Sequence, residues 1–229
     1  MRFLILIFVF FVLSEDISVK DGKYITIKDN GSWKYIDDLL IISWEDAIDK
    51  AEYKKILDIP VYTQSPNADP IGWCGQTSIQ MILDYYGHSY TQEEINRVRV
   101  NNDNPTIFFE DMVPTIEKLT NNKFKVHVAR FWSEDTYKNW IKSQIDKNKP
   151  VMAVFKMNPT IHPEWLIDHF SVISGYDNNG IYILTTWEHD AKQYRTWEQL
   201  LAKDVNNDLS FVGSRRFFEK LFIGFDIYQ

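Results

Sequence analysis

Residues 73–87 read WCGQTSIQMILDYYG, Trp73 to Gly87, and their reading constrains the rest of the chain. Ile79, Ile82, Leu83 and Tyr86 recur at helical spacing and Gly87 is suited to stop a helix, which predicts one over Thr77–Tyr86. The preceding stretch, Ser65 to Gly72, is rich in Pro, Asn, Asp and Gly and reads as a loop. Cys74, the single cysteine of the chain, thus falls at or near a helix N-terminus. Unpaired backbone N–H groups and the positive end of the helix dipole favour a thiolate there. The same donors can hold the oxyanion of a tetrahedral intermediate. Gly75 keeps the approach to the sulfur open. Taken alone, a free cysteine is more often a small buried hydrophobe, so a second residue has to decide the matter.

Working outward, Thr91 and Glu94 form a capping box that opens a second helix. Further helices are expected over Phe109–Leu119 and Glu134–Lys147. The second half is rich in β-prone runs: Lys125–Val128, Val151–Phe155, Phe170–Tyr176, Ile181–Leu184 and a closing Leu221–Tyr228. Asp177-Asn178-Asn179-Gly180 is a hairpin turn between two of them. Upstream, Ile59-Pro60-Val61-Tyr62 is a short extended segment, since Pro60 lacks a backbone donor and disfavours helix before it. Helices followed by antiparallel strands indicate an α+β fold.

His169 heads the run Phe170–Tyr176. A histidine at the start of a strand can face a cysteine at the start of a helix across a cleft, take the thiol proton and return it to a leaving group. Its bland alternative is a satisfied core or surface histidine. His162, Glu164, Asp168 and His169 fit no common zinc spacing, and Pro163 interrupts them. Trp132, Trp140, Trp165, Trp187 and Trp197 are better read as core than as cleft lining; Trp73, beside Cys74, is the one best placed to shape a channel.

These residues carry a resemblance. Ile59-Pro60-Val61-Tyr62-Thr63-Gln64, Trp73-Cys74-Gly75-Gln76-Thr77-Ser78 and Leu83-Asp84-Tyr85-Tyr86-Gly87 resemble the first half of the double-glycine (bacteriocin leader) peptidase-like family. Lys149-Pro150-Val151, Asp168-His169-Phe170-Ser171-Val172-Ile173-Ser174-Gly175-Tyr176-Asp177 and Gly180-Ile181-Tyr182-Ile183 resemble its second half, in the right order. The resemblance spans Ile59 to Trp187. It implies a papain-like cysteine peptidase fold, with N-terminal helices packed on a C-terminal antiparallel sheet. It also implies Cys74 as nucleophile, His169 as base and Gln64 as the oxyanion-hole amide, Asn67 being a weaker alternative. The family's third residue is an aspartate or asparagine after the strand that follows the histidine. Here the stretch is Leu184-Thr185-Thr186-Trp187, with Thr185 where the acid is expected and Asp190 as a substitute. A threonine hydroxyl can accept the imidazole N–H but cannot stabilise imidazolium as a carboxylate does.

The remainder sets the context. MRFLILIFVFFVLSED begins with Arg2 and an apolar run from Phe3 to Leu13, too short to span a bilayer comfortably, and reads as a signal peptide over residues 1–14. Residues 15–54 hold a β-hairpin, DGKYITIKDNGSWKYI, turned at Asn30-Gly31. The main domain is expected over 55–229. A net charge of -7 without a basic stripe argues against nucleic acid as a partner. The expectation is therefore a secreted or periplasmic thiol hydrolase acting on a peptide or protein substrate, with no metal or organic cofactor required. The alternatives are a catalytically impaired papain-like binding module and a thiol acyl transferase or deamidase.

Overall fold

The computed structural model describes residues 16–20, 23–27, 33–35, 44–64, 72–100, 107, 109–131, 133–156, 168–186, 191–201 and 222–229. The signal-peptide expectation, the Asn30-Gly31 turn, Asn67, His162, Glu164, Trp132, Trp165, Trp187 and Asp190 lie outside these. The chain forms two compact units, Met1–Leu40 and Ile41–Gln229. In the first, β1 (Asp16–Lys20), β2 (Lys23–Ile27) and β3 (Trp33–Tyr35) form an antiparallel sheet in that order. The β2–β3 pairing sets Ile25 against Tyr35 and Ile27 against Trp33, the two arms of the expected hairpin.

The second unit begins with α1 (Trp44–Lys50) and β4 (Lys54–Ile56). The expected segment 15–54 is thus divided between the two units. Trp44 is buried with its ring edge-on to Tyr182, and β4 pairs with the end of a central strand. Then come α2 (Cys74–Tyr85), α3 (Gln92–Val98), α4 (Phe109–Leu119), β5 (Lys125–Phe131) and α5 (Glu134–Asp146). The chain continues with β6 (Val151–Lys156), β7 (Asp168–Asp177), β8 (Gly180–Leu184), β9 (Lys192–Thr196), α6 (Trp197–Leu201) and β10 (Phe222–Tyr228). The sheet order is β5-β10-β6-β7-β8-β9, with β4 also on β7, and every pairing is antiparallel. The expected α+β architecture, helices mainly toward the N-terminal side and sheet toward the C-terminal side, is the one observed.

Local chemistry explains the elements. Helix α2 ends where Gly87 takes a φ of +80° and the amides of Gly87 and His88 return to the carbonyls of Asp84 and Leu83. The capping box of α3 is formed: Thr91 Oγ1 accepts from the Glu94 amide at 3.1 Å, and Glu94 accepts from the Thr91 amide at 2.8 Å. The β7–β8 turn is held by Asp177, whose buried carboxylate accepts from the amides of Asn179 and Gly180 and from the hydroxyls of Tyr182 and Tyr194. Burial and this carboxylate push both tyrosine hydroxyls well above their ordinary pKa.

The core lies between α2, α4 and the sheet, with Ile79, Met81, Ile82, Leu83, Met112, Ile116, Val172 and Phe225 all fully buried. Trp140, partly buried, packs against the core over Gly224 and beside Phe131, and Trp197 is buried within it. Ile59–Tyr62 joins no strand. Its flanks are tied down instead: the Leu57 amide donates to the Ser174 carbonyl at 2.8 Å and the Gln64 amide to the Thr186 carbonyl at 2.9 Å. Those two bonds lay the segment along the sheet and bring Gln64 to the end of β8.

Candidate active site

Cys74 is the first residue of α2, three residues earlier than helical periodicity suggested. No side chain caps this helix start, so its backbone donors stay available to whatever lies beside the sulfur. Burial is the largest influence on the thiol and raises its pKa. The opposing influence is hydrogen bonding to the sulfur from the amides of Phe170, Gly75 and Cys74 itself. Cys74 as a whole residue nevertheless keeps part of its surface exposed. Phe170 directly follows His169 on β7, so its influence on the thiol places the start of α2 beside the start of that strand.

His169 is buried, 7% exposed. Its Nε2 lies 3.2 Å from the Thr186 hydroxyl. Thr186 Oγ1 in turn donates to Gln64 Oε1 at 3.1 Å. Burial, and after it the positive charge of Arg195, push the imidazole pKa down from 6.5 to about 3. Arg195 is itself buried on β9, where its guanidinium donates to Gln193 Oε1. The free protein therefore holds a neutral thiol and a neutral imidazole at pH 7.

Gln64 is strapped to Thr186 twice, through its backbone amide and its side chain. A Cβ placed on Gly72 would stand 2.7 Å from both Gln64 Nε2 and Oε1, so the carboxamide fills the space a side chain at position 72 would need. Gly72 also has a φ of +27°, in the region that favours glycine. The amide expected at the oxyanion hole thus lies against the turn that leads into Trp73 and Cys74.

The third position needs a correction. Among the described residues, the hydroxyl that meets His169 Nε2 is that of Thr186, one residue beyond the expected Thr185. Strand alternation favours Thr185, because β7 and β8 pair Val172 with Leu184 and Ile173 with Ile183, which extrapolates Thr185 onto the face of His169. But β8 ends at Leu184, the Thr185 amide still bonds the Ala191 carbonyl in register with β9, and the chain bends out of that register at Thr186. Beyond the last strand residue the alternation no longer governs direction. Thr186, the Phe170 amide and the Arg195 charge are the participants that the residue pattern did not single out. Only the Thr-Thr doublet after β8 offered a signal. Among the described residues no group of three or more His, Cys, Asp or Glu side chains is placed to hold a metal ion.

The comparisons bear on this arrangement. The family model of the Peptidase_C39 like family matches residues 56–209. The chain belongs to the Peptidase_C39-like family. Its fold and its cysteine peptidase type follow from that membership, and the matched span contains Gln64, Cys74, His169 and Thr186. Among solved structures, this family member is similar to a Bacillus anthracis protein assigned as a C39-like peptidase, with a TM-score of 0.53 and 17% identity over 78% of this chain and 98% of that one. It is also similar to a double glycine motif protease from an AMS/PCAT transporter in complex with the leader peptide (TM-score 0.47, 15% identity, 76% and 93% covered). A further similarity is to the peptidase domain of Streptococcus ComA, a bifunctional ABC transporter of a quorum sensing pathway (TM-score 0.45, 15% identity, 73% and 95% covered). No curated protein matches the sequence.

Proposed function

We propose that this C39-like chain is an exported thiol hydrolase that cleaves peptide or amide bonds in a peptide or protein substrate. The observation that carries the reading is the nearness of the Phe170 backbone amide to Cys74, felt as a lowering influence on the thiol pKa, because it sets the thiol beside the backbone that bears His169. Cys74 attacks the carbonyl carbon while His169 takes its proton. The resulting oxyanion is held by the Cys74 amide and the Gln64 side-chain N–H. His169 then protonates the leaving amine as the C–N bond breaks. Water, deprotonated by the same imidazole, hydrolyses the thioester and restores the thiol. With no preformed ion pair, proton transfer accompanies attack, so His169 acts as a general base rather than as the partner of a standing thiolate.

Export rests on the N-terminal apolar run after Arg2. Among the described residues no helix is long and apolar enough to cross a membrane. The test is incubation of the chain with a peptide mixture and mass-spectrometric detection of new termini. Cleavage that disappears in Cys74→Ala and in His169→Ala is the expected result; cleavage surviving both substitutions overturns the reading.

A second reading has a specific observation behind it. Burial of His169, with the Arg195 cation nearby and the uncharged Thr186 hydroxyl at Nε2, disfavours imidazolium. That suits a peptide-binding module that keeps the fold and has lost turnover. Saturable peptide binding by the wild-type chain, unchanged by Cys74→Ala and without product, selects this reading.

A further inference from the structure

We infer that Thr186 is a two-way positioning residue, whose single hydroxyl sets both the tautomer of His169 and the orientation of the Gln64 carboxamide. The assignment builds on the peptidase reading but is made on geometry. A threonine hydroxyl has one proton and two lone pairs. Its proton goes to Gln64 Oε1 at 3.1 Å. What it offers His169 Nε2, at 3.2 Å, is therefore a lone pair, so Nε2 carries the ring hydrogen. That leaves Nδ1 with the lone pair, the state required of a base toward the Cys74 thiol.

The same hydrogen bond fixes the amide. With Oε1 turned to Thr186, Gln64 presents its NH2 group elsewhere. The carboxamide already lies against Gly72, two residues before Cys74, and the Gln64 amide is anchored on the Thr186 carbonyl at 2.9 Å. An inverted carboxamide would put its donor on Thr186, send the hydroxyl proton to Nε2 and leave Nδ1 protonated. Both catalytic groups would then be wrong together. One neutral hydroxyl thus touches both the base and the oxyanion donor. The low imidazole pKa agrees, since a hydroxyl orients the ring without stabilising its charged form.

The tautomer can be read without substrate, from long-range 1H–15N spectra of the 15N-labelled chain, with the His169 signals assigned by their loss in His169→Ala. The expected result is Nε2–H in wild type and Thr186→Ser, and a growing Nδ1–H fraction in Thr186→Val. Turnover should fall at least about tenfold in Thr186→Val with little change in KM, and recover in Thr186→Ser. Nδ1–H in the wild-type chain overturns the assignment, even if Thr186→Val fails to fold. So does a Thr186→Val chain that keeps both the wild-type tautomer and the wild-type rate. Nε2–H in a wild-type chain that cleaves nothing supports the positioning role and refutes the peptidase reading, so the two failures are distinguishable.

Discussion

Replacing Thr186 by aspartate places a carboxylate where the hydroxyl now sits, 3.2 Å from His169 Nε2. At that separation and an effective dielectric constant of about 20, a negative charge stabilises imidazolium by roughly 5 kcal/mol. That is enough to carry a midpoint of about 3 up to roughly 6 or 7. The opposing costs are desolvation of the new carboxylate and its repulsion from Gln64 Oε1, which turns the carboxamide over, so a rise to between roughly 5 and 7 is expected. Cys74 responds because a stabilised imidazolium favours its thiolate, and alkylation by iodoacetamide at pH 7 should accelerate at least about tenfold. Turnover need not follow, because the inverted Gln64 no longer presents its donor. Asparagine at the same position supplies an uncharged acceptor and should raise the midpoint by about 1 at most. The assay is His169 titration by NMR beside the pH profile of alkylation. A folded Thr186→Asp chain whose His169 midpoint stays within about 1 of wild type refutes the reasoning.

The other predictions concern stability. Because the folded state holds His169 near pKa 3 against 6.5 for an unperturbed ring, the unfolded chain binds the extra proton between those values. This stability is fully present above pH 6.5 and is lost as pH falls toward 3. His169→Gln should therefore gain on wild type as the solution is acidified, by at most about 5 kcal/mol. Denaturant unfolding at pH 7 and pH 4 measures it, and parallel pH dependences contradict the buried neutral ring. Gly224→Ala sets a Cβ 2.3 Å from the Trp140 ring, so the indole must move within an aromatic cluster. A loss of about 1–3 kcal/mol in thermal or denaturant unfolding is expected, and an unchanged midpoint speaks against the packing described.

Much of the site was legible in the residues because its determinants are local. Cys74 reads as a helix start from the loop before it and the periodicity after it. The Thr91–Glu94 box, the helix over Phe109–Leu119 and the Asp177–Gly180 turn depend on hydrogen bonds within a few residues, and the structure has all of them. The strand Lys192–Thr196 and the helices at Trp44 and Trp197 were missed for the opposite reason. Lys-Gln-Tyr-Arg-Thr has little β preference, and it becomes a strand because β8 offers an open edge to pair with.

By itself, the sequence determined most of the helix and strand succession, the lone thiol at a helix start and the histidine at a strand start, since each follows from neighbours along the chain. Only the tertiary structure decided that Thr186 rather than Thr185 meets the imidazole, and that Gln64 lies behind it. The β8–β9 register runs on to Thr185, whose amide bonds the Ala191 carbonyl, and stops there. Past that point Thr186 is held by its bonds to Gln64, far away in the chain, and residue spacing carries no record of such a partner.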